Sequence, residues 1–196
     1  MTAIPTGPRL SPGKVERVML VPHPDFPSRA IRSISVDIDR DEDRGLQLAY
    51  RVTGAIQEVS WPIAKTSQPS EPTDGLWEHS VFEAFITRPG DRNYFELNYT
   101  TSLRWALYRF DDYRAGMISI DTPPDATIEF GPASLDVRIW DLPRFRPSDE
   151  LELNLTAIIE AKDGTKSYWA LAHAPGPPDF HNRDCFTARL AAPIHP

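Results

Sequence analysis

Three carboxylates fall close together in the chain and are the first side chains that could do chemistry. Glu78 and Glu83 share one segment, and Glu96 lies in the next. A pair of carboxyl groups can hydrolyse a glycosidic bond by acid–base catalysis. Side chains alternate along a strand, so Glu78 and Glu83 would point to opposite faces, whereas Glu83 and Glu96 could meet across adjacent strands. We interpret them as hydrogen-bonding groups of a polar cleft, predict no catalytic residue, and keep hydrolysis as an alternative.

Trp77 is the tryptophan whose surroundings suggest a binding role. It follows a turn signal, Asp74-Gly75, and precedes Glu78 and His79. An indole flanked by polar residues at the junction of a loop and a strand can stack on a sugar ring, because one face of the ring presents C–H groups. Exposed aromatic residues also serve protein interfaces. An ordinary position in the core is the third interpretation of Trp77.

The single cysteine and the five histidines give no strong catalytic or metal-binding pattern. His181 precedes Cys185 by four positions, so a Cys/His nucleophile is conceivable, but a half-buried structural thiol is favoured. The histidines lack the short fixed spacings of a zinc site, although His173 and His181 flank a proline-rich loop and could meet. Phosphate-binding and hydrolase signatures are missing from the sequence. We therefore predict neither a metal nor another cofactor.

The charge balance argues against some classes of partner. The chain carries 28 acidic and 21 basic residues, a net charge of −7, and no cluster of lysine or arginine. Such a surface repels a phosphate backbone, so we expect no nucleic acid partner. The sequence has no apolar run that could span a bilayer, and residues 1–12 do not resemble a signal peptide. We expect no membrane association and a cytoplasmic location.

The proline content predicts the kind of elements that position these residues. The 196 residues include 20 prolines and 10 glycines. Proline is excluded from helix interiors and from central strands, so we expect many loops, short strands and few long helices. Residues 1–28 contain six of the prolines. We predict an extended N-terminal arm over 1–28, with a short strand at 18–21, and one domain over 29–196.

Alternating patterns predict strands along the rest of the chain. Ile34, Val36 and Ile38 share one face, and a second alternating run lies beyond the charged turn that ends at Gly45, which together indicate a β-hairpin. The predicted strands cover residues 30–38, 46–52, 59–61, 76–86, 94–99, 104–110, 126–130, 135–140, 151–161, 167–172 and 186–190. Short strands separated by turns predict an all-β fold, an antiparallel β-sandwich of about nine to eleven strands, immunoglobulin-like or jelly-roll-like.

Several of these segments together resemble a known family. Residues 76–86 resemble the strand with an acidic residue before an aromatic residue that is typical of DOMON-like domains and family-nine carbohydrate-binding modules. Residues 93–99 and 105–110 resemble the two strands that follow. Residues 170–173, 178–181 and 185–186 resemble the end of a bacterial subgroup of stand-alone DOMON-like proteins. The resemblance covers roughly residues 30 to 190 and implies a β-sandwich with a pocket for sugars or heme.

The resemblance implies a set of pocket residues. Glu83, Glu96 and Asn98 would be polar groups on the pocket side, Trp77 a stacking residue, and His173 a residue near the pocket mouth. The pair of tryptophans that would enclose a sugar ring from both sides has no clear counterpart in this chain.

Two further implications concern arginine and heme. Arg104 or Arg109 could donate from its guanidinium fork to hydroxyls or to a carboxylate. The heme-binding branch uses a methionine and a histidine as axial ligands, and Met117 could pair with His173 or His181, without a matching motif around Met117.

The sequence therefore predicts a non-catalytic module that binds a small ligand, most simply a carbohydrate or a sugar derivative, in a cleft on one sheet. A protein–protein interaction module, a heme carrier and a hydrolase are the alternatives, in that order, and a homodimer is left open. Fold-level analogy alone does not establish function.

Overall fold

The computed structural model describes residues 9–10, 15–41, 45–63, 71–140, 145–146 and 148–191. In the first half of the chain the strands are β1 (Arg9–Leu10), β2 (Glu16–Pro22), β3 (Ile31–Asp41), β4 (Gly45–Gly54), β5 (Glu71–Pro72), β6 (Val81–Thr87) and β7 (Tyr94–Tyr99). In the second half they are β8 (Arg104–Phe110), β9 (Ile118–Ser119), β10 (Asp125–Phe130), β11 (Ser134–Trp140), β12 (Leu151–Glu160), β13 (Lys166–Ala170) and β14 (Ala188–Leu190). Helical structure within these ranges is limited to short 3₁₀ turns.

Hydrogen bonds join all fourteen strands into one sheet. The order along its main path is β10-β11-β4-β3-β2-β13-β12-β6-β7-β8-β5. The strand pairs are antiparallel except for β1 with β14 and β5 with β8, which are parallel. The predicted all-β class is confirmed. The connectivity differs from a purely antiparallel sandwich of separate sheets, because β2 and β13 pair through Val21↔Ala170 and Pro22↔Trp169 and link the two halves.

The sheet curls so that its two halves face each other. Tyr50 on β4 donates a hydrogen bond to the backbone oxygen of Glu83 on β6 at 2.6 Å, and its ring lies 5.2 Å from that of Phe82. These strands are far apart in the strand order, so only a curled sheet brings them together. The apolar residues between the halves form the main core, which includes Ile34, Val52 and Leu155 at full burial.

The predicted hairpin is confirmed. β3 and β4 are antiparallel and remain in register from Ser33↔Thr53 to Asp41↔Gly45. Ile34, Val36 and Ile38 are all buried, as expected for one face of a half-buried strand. The segment predicted as one strand over 76–86 is different, because Gly75 has a left-handed φ of 74° and opens a 3₁₀ turn over Leu76–Glu78, so that β6 begins only at Val81.

The strands β6 and β7 are buried along their whole length. One face of β6 presents Phe82, Ala84 and Ile86 to the main core. The opposite face presents Val81 and Phe85 to a second apolar cluster, in agreement with the faces predicted from the sequence. The second cluster is completed by residues that follow β13, including Phe180 and Phe186. The segment between β13 and β14 therefore covers the outer face of the sheet.

Part of the predicted domain division lies outside the described residues, namely 1–8 and 11–14 of the arm and 42–44, 64–70, 141–144, 147 and 192–196 of the domain. Within the arm, the strand predicted at 18–21 is found as β2. The described residues contain no helix that is long and apolar enough to cross a bilayer.

Candidate functional site

A cavity of about 370 Å³ lies on the outer face of β6, β7 and β8, opposite the main core. Its wall is aromatic for the most part, with Trp77, Phe85, Tyr108, Phe110, Tyr168 and Phe180. Its polar lining consists of Glu83, Glu96, Arg114 and His181. An aromatic wall with a few converging polar groups is typical of a small-molecule site.

Strand register places the two glutamates on the floor of this cavity. On β6, Glu83 is directly opposite Asn98 of β7 and Thr156 of β12. On β7, Glu96 is directly opposite Phe85 and Tyr108. Residues two apart on a strand share a face, so Glu96 and Asn98 point to the same side as Glu83. The predicted meeting of Glu83 and Glu96 across adjacent strands is confirmed.

Each buried carboxyl group has a neutral hydrogen-bond donor. The Thr156 hydroxyl donates to Glu83 Oε2 at 2.8 Å, and Asn98 Nδ2 donates to Glu96 Oε1 at 2.7 Å. Glu83 is only 3% exposed and Glu96 only 5%. Burial raises the pKa of Glu83 to about 8, helped by the neighbouring Glu96 carboxylate. Burial likewise raises the pKa of Glu96 to about 7, so protons are retained on this pair near neutral pH.

His181 is held against Glu96 by the Tyr94 hydroxyl. The Arg114 backbone N–H donates to the Tyr94 oxygen at 3.2 Å, and the Tyr94 hydroxyl lies 2.7 Å from His181 Nδ1. All three groups are used when the Tyr94 hydroxyl donates to Nδ1, which leaves the hydrogen of the neutral ring on Nε2. Nε2 is 3.7 Å from Glu96 Oε2. Burial and the nearby Arg114 lower the His181 pKa to about 4, so this contact is not an ion pair at neutral pH.

Asp179 ties the covering segment to the loop after β8. The Arg114 guanidinium donates to Asp179 Oδ1 at 2.9 Å, and the Tyr113 hydroxyl donates to Oδ2 at 2.9 Å. The His181 backbone N–H donates to the same carboxylate at 3.3 Å. Because Arg114 and Tyr113 lower the Asp179 pKa despite its partial burial, this carboxylate is ionised and fixes both loops at the cavity edge.

The 3₁₀ turn before β6 positions Trp77 at the rim. Asp74 Oδ1 accepts from the Gly75 backbone N–H at 3.0 Å and from the Tyr108 hydroxyl at 2.5 Å. The Trp77 side chain follows at once, is 41% exposed, and meets the Tyr108 ring edge to face at 6.2 Å. The interpretation of Trp77 as an ordinary core residue is therefore wrong, because much of the indole faces solvent at the cavity.

The structure brings together four of the seven predicted ligand-binding residues. Trp77, Glu83 and Glu96 line the cavity. Asn98 lies beneath them, fully buried, with its amide on Glu96.

Arg104 and Arg109 lie away from the cavity, which corrects their predicted placement. His173 is not part of the lining, but its ring is 6.4 Å from that of Phe180, which is. Arg104 is exposed at the start of β8, beyond the cavity floor, in register with Glu71. Arg109 alternates to the other face of β8 and pairs with Asp111 at 2.9 Å. His173 Nε2 binds the Val21 backbone oxygen at 2.9 Å, with its ring 4.9 Å from that of His23.

Sequence reasoning missed Tyr94, Arg114 and Asp179 and gave His181 a different role. Arg114 and Asp179 belong to irregular segments whose sequence shows no periodicity. His181 was considered only as a partner of Cys185 or a metal. Tyr94 carries a signal that sequence reasoning could have used. A tyrosine that is buried in a strand usually needs a hydrogen-bond partner for its hydroxyl group, which indicates a polar group nearby.

Cys185 and the pair Met117 and His181 are the other sites that the sequence suggested for chemistry. Burial raises the Cys185 pKa to about 11, so the thiol is protonated, as a structural thiol is expected to be. Across the residues that the structure describes, no three histidine, cysteine or carboxylate side chains cluster around a common point. Met117 and His181 both line the cavity, but His181 Nε2 faces the Glu96 carboxyl rather than Met117.

No protein-family model and no curated protein sequence matches the chain. Among solved structures, a candidate carbohydrate-binding protein from Bacteroides uniformis is 14% identical, with a TM-score of 0.65 over 97% of this chain and 94% of that one. A family-nine carbohydrate-binding module from Caldicellulosiruptor kristjanssonii, solved with cellotriose, is 11% identical, with a TM-score of 0.50 over 97% and 96%. The predicted resemblance to family-nine modules is confirmed as a likeness of fold.

Proposed function

We propose that this chain is a non-catalytic module that binds a carbohydrate in the cavity above β6, β7 and β8. The observation that carries the proposal is the pairing of a half-exposed indole at the rim, Trp77, with buried hydrogen-bonding groups on the floor, Glu83 and Glu96. A sugar ring has an apolar C–H face that stacks on an indole and an edge of hydroxyl groups that need polar partners.

The lining provides those partners in fixed positions. Glu83 and Glu96 offer carboxyl oxygens, and the neutral His181 offers Nε2–H as a donor. Each group is held by a second residue, so little side-chain freedom is lost when a ligand binds. The two structural neighbours are a candidate carbohydrate-binding protein and a module solved with cellotriose, which supports the same class of ligand.

One observation favours glycoside hydrolysis as a second candidate function. A hydrolase needs a carboxylic acid with a raised pKa, and burial raises the pKa of Glu83 to about 8. Hydrolysis also needs a partner carboxylate that stays ionised, whereas burial raises the pKa of Glu96 as well. Because both carboxyls are shifted in the same direction, binding without cleavage is the better account. Incubation of a bound oligosaccharide with the protein, followed by chromatography, distinguishes the two.

The test is a calorimetric titration with mono- and disaccharides, amino sugars and sugar nucleotides. Saturable binding that is lost in Trp77→Ala and kept in Phe130→Ala supports the proposal. Phe130 is a suitable control because its side chain is 56% exposed and lies on β10, outside the cavity. The absence of binding across the whole panel would contradict the proposal and favour the protein-interaction alternative.

A further inference from the structure

Two asparagine side chains beneath the cavity floor each have an acceptor without a partner among the described residues. Asn98 and Asn154 are fully buried on the cavity side of β7 and β12. Their amide nitrogens donate to Glu96 and to the Phe180 backbone oxygen, respectively. Neither Oδ1 atom receives a hydrogen bond from the part of the chain that is described. Buried polar atoms normally have partners, so these two unpartnered acceptors beneath the cavity are a place where a further donor would be stabilised.

Among the described residues that line the cavity the cation is Arg114, which offsets only part of the effect of burial on the pKa of Glu96. The Arg114 guanidinium is paired with Asp179 at 2.9 Å, and His181 accepts the Tyr94 hydroxyl at Nδ1. The hydrogen bonds that Glu83 and Glu96 receive from described residues come from the uncharged Thr156 and Asn98. An ionised carboxylate in such a place has lost its hydration and has gained only neutral donors in return.

We infer that the ligand of this cavity carries a protonated amino group, which makes an amino sugar the preferred class of carbohydrate. This inference rests on the proposed function and narrows it. An ammonium group has three donors and no acceptor, which complements a floor of acceptors. Its hydrogen bonds to carboxylates are charge-assisted and stronger than those of a neutral hydroxyl. A neutral sugar would leave the pair protonated, whereas an ammonium group would compensate the charge of its ionised form.

Binding of a cation should also expel protons from the site. A positive charge favours the ionised form of both glutamates, whose pKa values burial has raised. The described titratable or charged groups that surround the pair are Tyr50, Tyr94, Tyr108, Tyr168, His181, Arg114, Asp179 and Asp74. Of these, His181 is neutral and Asp179 is ionised near pH 7, because the His181 pKa is lowered to about 4 and the Asp179 pKa is also lowered. The glutamate pair is therefore the source of the released protons.

The experiment compares glucosamine, N-acetylglucosamine and glucose by calorimetry at pH 7, in buffers of different ionisation enthalpy. The three sugars differ at one ring position, which bears an ammonium, an amide or a hydroxyl. We expect glucosamine to bind at least about tenfold more tightly than the two neutral sugars, with net proton release. A tenfold ratio corresponds to about 1.4 kcal/mol.

Three variants locate the effect. Glu83→Gln and Glu96→Gln should each reduce the preference for glucosamine over glucose, since a neutral amide replaces the carboxyl group. Glu152→Gln is the matched control, because Glu152 pairs with Arg189 on β14, outside the cavity. Circular dichroism checks that each variant is folded. The proton release on binding of glucosamine is measured with the wild-type protein, so it tests the inference even if a variant does not fold.

The outcomes separate the inference from the proposed function. Neutral sugars that bind as tightly as glucosamine, or more tightly, overturn the amino-group inference and leave carbohydrate binding intact. A preference that persists unchanged in both glutamine variants also overturns it. If none of the carbohydrates binds, the proposed function fails and the inference fails with it.

Discussion

The Tyr94 hydroxyl and His181 Nδ1 are 2.7 Å apart, although the two residues are 87 positions apart in the chain. This hydrogen bond joins the floor of the cavity to the segment that covers it. It also determines which nitrogen of His181 faces the ligand, because Nδ1 is occupied and Nε2 is directed to Glu96.

Tyr94→Phe removes only one hydroxyl group, but it should alter the site because that group has two hydrogen-bond partners. The change leaves His181 Nδ1 and the Arg114 backbone N–H without their shared partner, and we expect a loss of about 1–2 kcal/mol in the free energy of unfolding. Ligand affinity should fall, and the ¹⁵N shifts of His181 should show a mixture of tautomers. Unchanged imidazole shifts in the variant would contradict this role for Tyr94.

Two arginines of similar exposure should respond differently to replacement. Arg114→Ala removes the ion pair with Asp179, which also accepts the His181 backbone N–H. We expect a drop in ligand affinity of about tenfold, or about 1.4 kcal/mol, because the segment that positions His181 loses one of its anchors. Arg109→Ala should change affinity by less than about twofold, since Arg109 pairs with Asp111 away from the cavity. Equal effects in the two titrations would show that Arg114 does not organise the site.

Stability should fall as pH rises from about 5 to 8 because of the buried glutamates. The folded pKa of Glu83 is raised to about 8 from an ordinary 4.5, so within this range the folded chain binds more protons than the unfolded chain. Glu83→Gln removes the part of that dependence that comes from Glu83 and leaves the part that comes from Glu96, whose folded pKa is raised to about 7. We expect the variant to gain on the order of 2 kcal/mol relative to the wild type at pH 8 and little at pH 4.5. Urea unfolding at both pH values measures the difference, and a constant offset between them would contradict the raised pKa.

Gly54 and Gly90 provide a matched pair for backbone strain. Both have positive φ, 136° and 83°, respectively. A Cβ on Gly54 would lie 2.5 Å from the Ala30 backbone oxygen, whereas one on Gly90 would meet nothing within 4 Å. Gly54→Ala should cost more than about 3 kcal/mol, and Gly90→Ala about 1 kcal/mol from local strain alone. Thermal unfolding of the two variants gives the comparison, and equal losses would be inconsistent with the contact at Gly54.

The Cys185 thiol should be inert in the folded protein. It is 2% exposed, and burial raises its pKa to about 11, so little reactive thiolate forms at pH 8. A thiol-reactive disulfide reagent should label it only after denaturant is added. Rapid labelling of the native chain would indicate that the segment between β13 and β14 opens.

The alternation of apolar and polar residues predicts those features of the fold that depend on residues close together in the sequence. It gives the β3–β4 hairpin, the two faces of β6, and the meeting of Glu83 and Glu96. The strand predicted from residue 76 begins only at Val81, because Gly75, with a left-handed φ of 74°, starts a 3₁₀ turn over Leu76–Glu78.

The rest of the site depends on contacts between distant segments. The family resemblance predicts Arg109 as a pocket residue, but β8 presents Tyr108 and Phe110 to the cavity, and alternation along the strand puts Arg109 on the opposite face. Arg114 and His181 reach the cavity from irregular loops held by Asp179. Such loops are positioned by tertiary interactions, which leave no periodic pattern in the sequence.

The burial of both faces of β6 gives alternate residues of that strand separate functions. Phe82, Ala84 and Ile86 specify the fold through the main core, whereas Val81, Glu83 and Phe85 belong to the cavity side. A substitution in one set leaves the other set untouched, because their side chains never meet. Descendants of this chain can therefore diverge in what they recognise while their architecture is inherited intact, and the same alternation offers a designer a place to exchange specificity without rebuilding the scaffold.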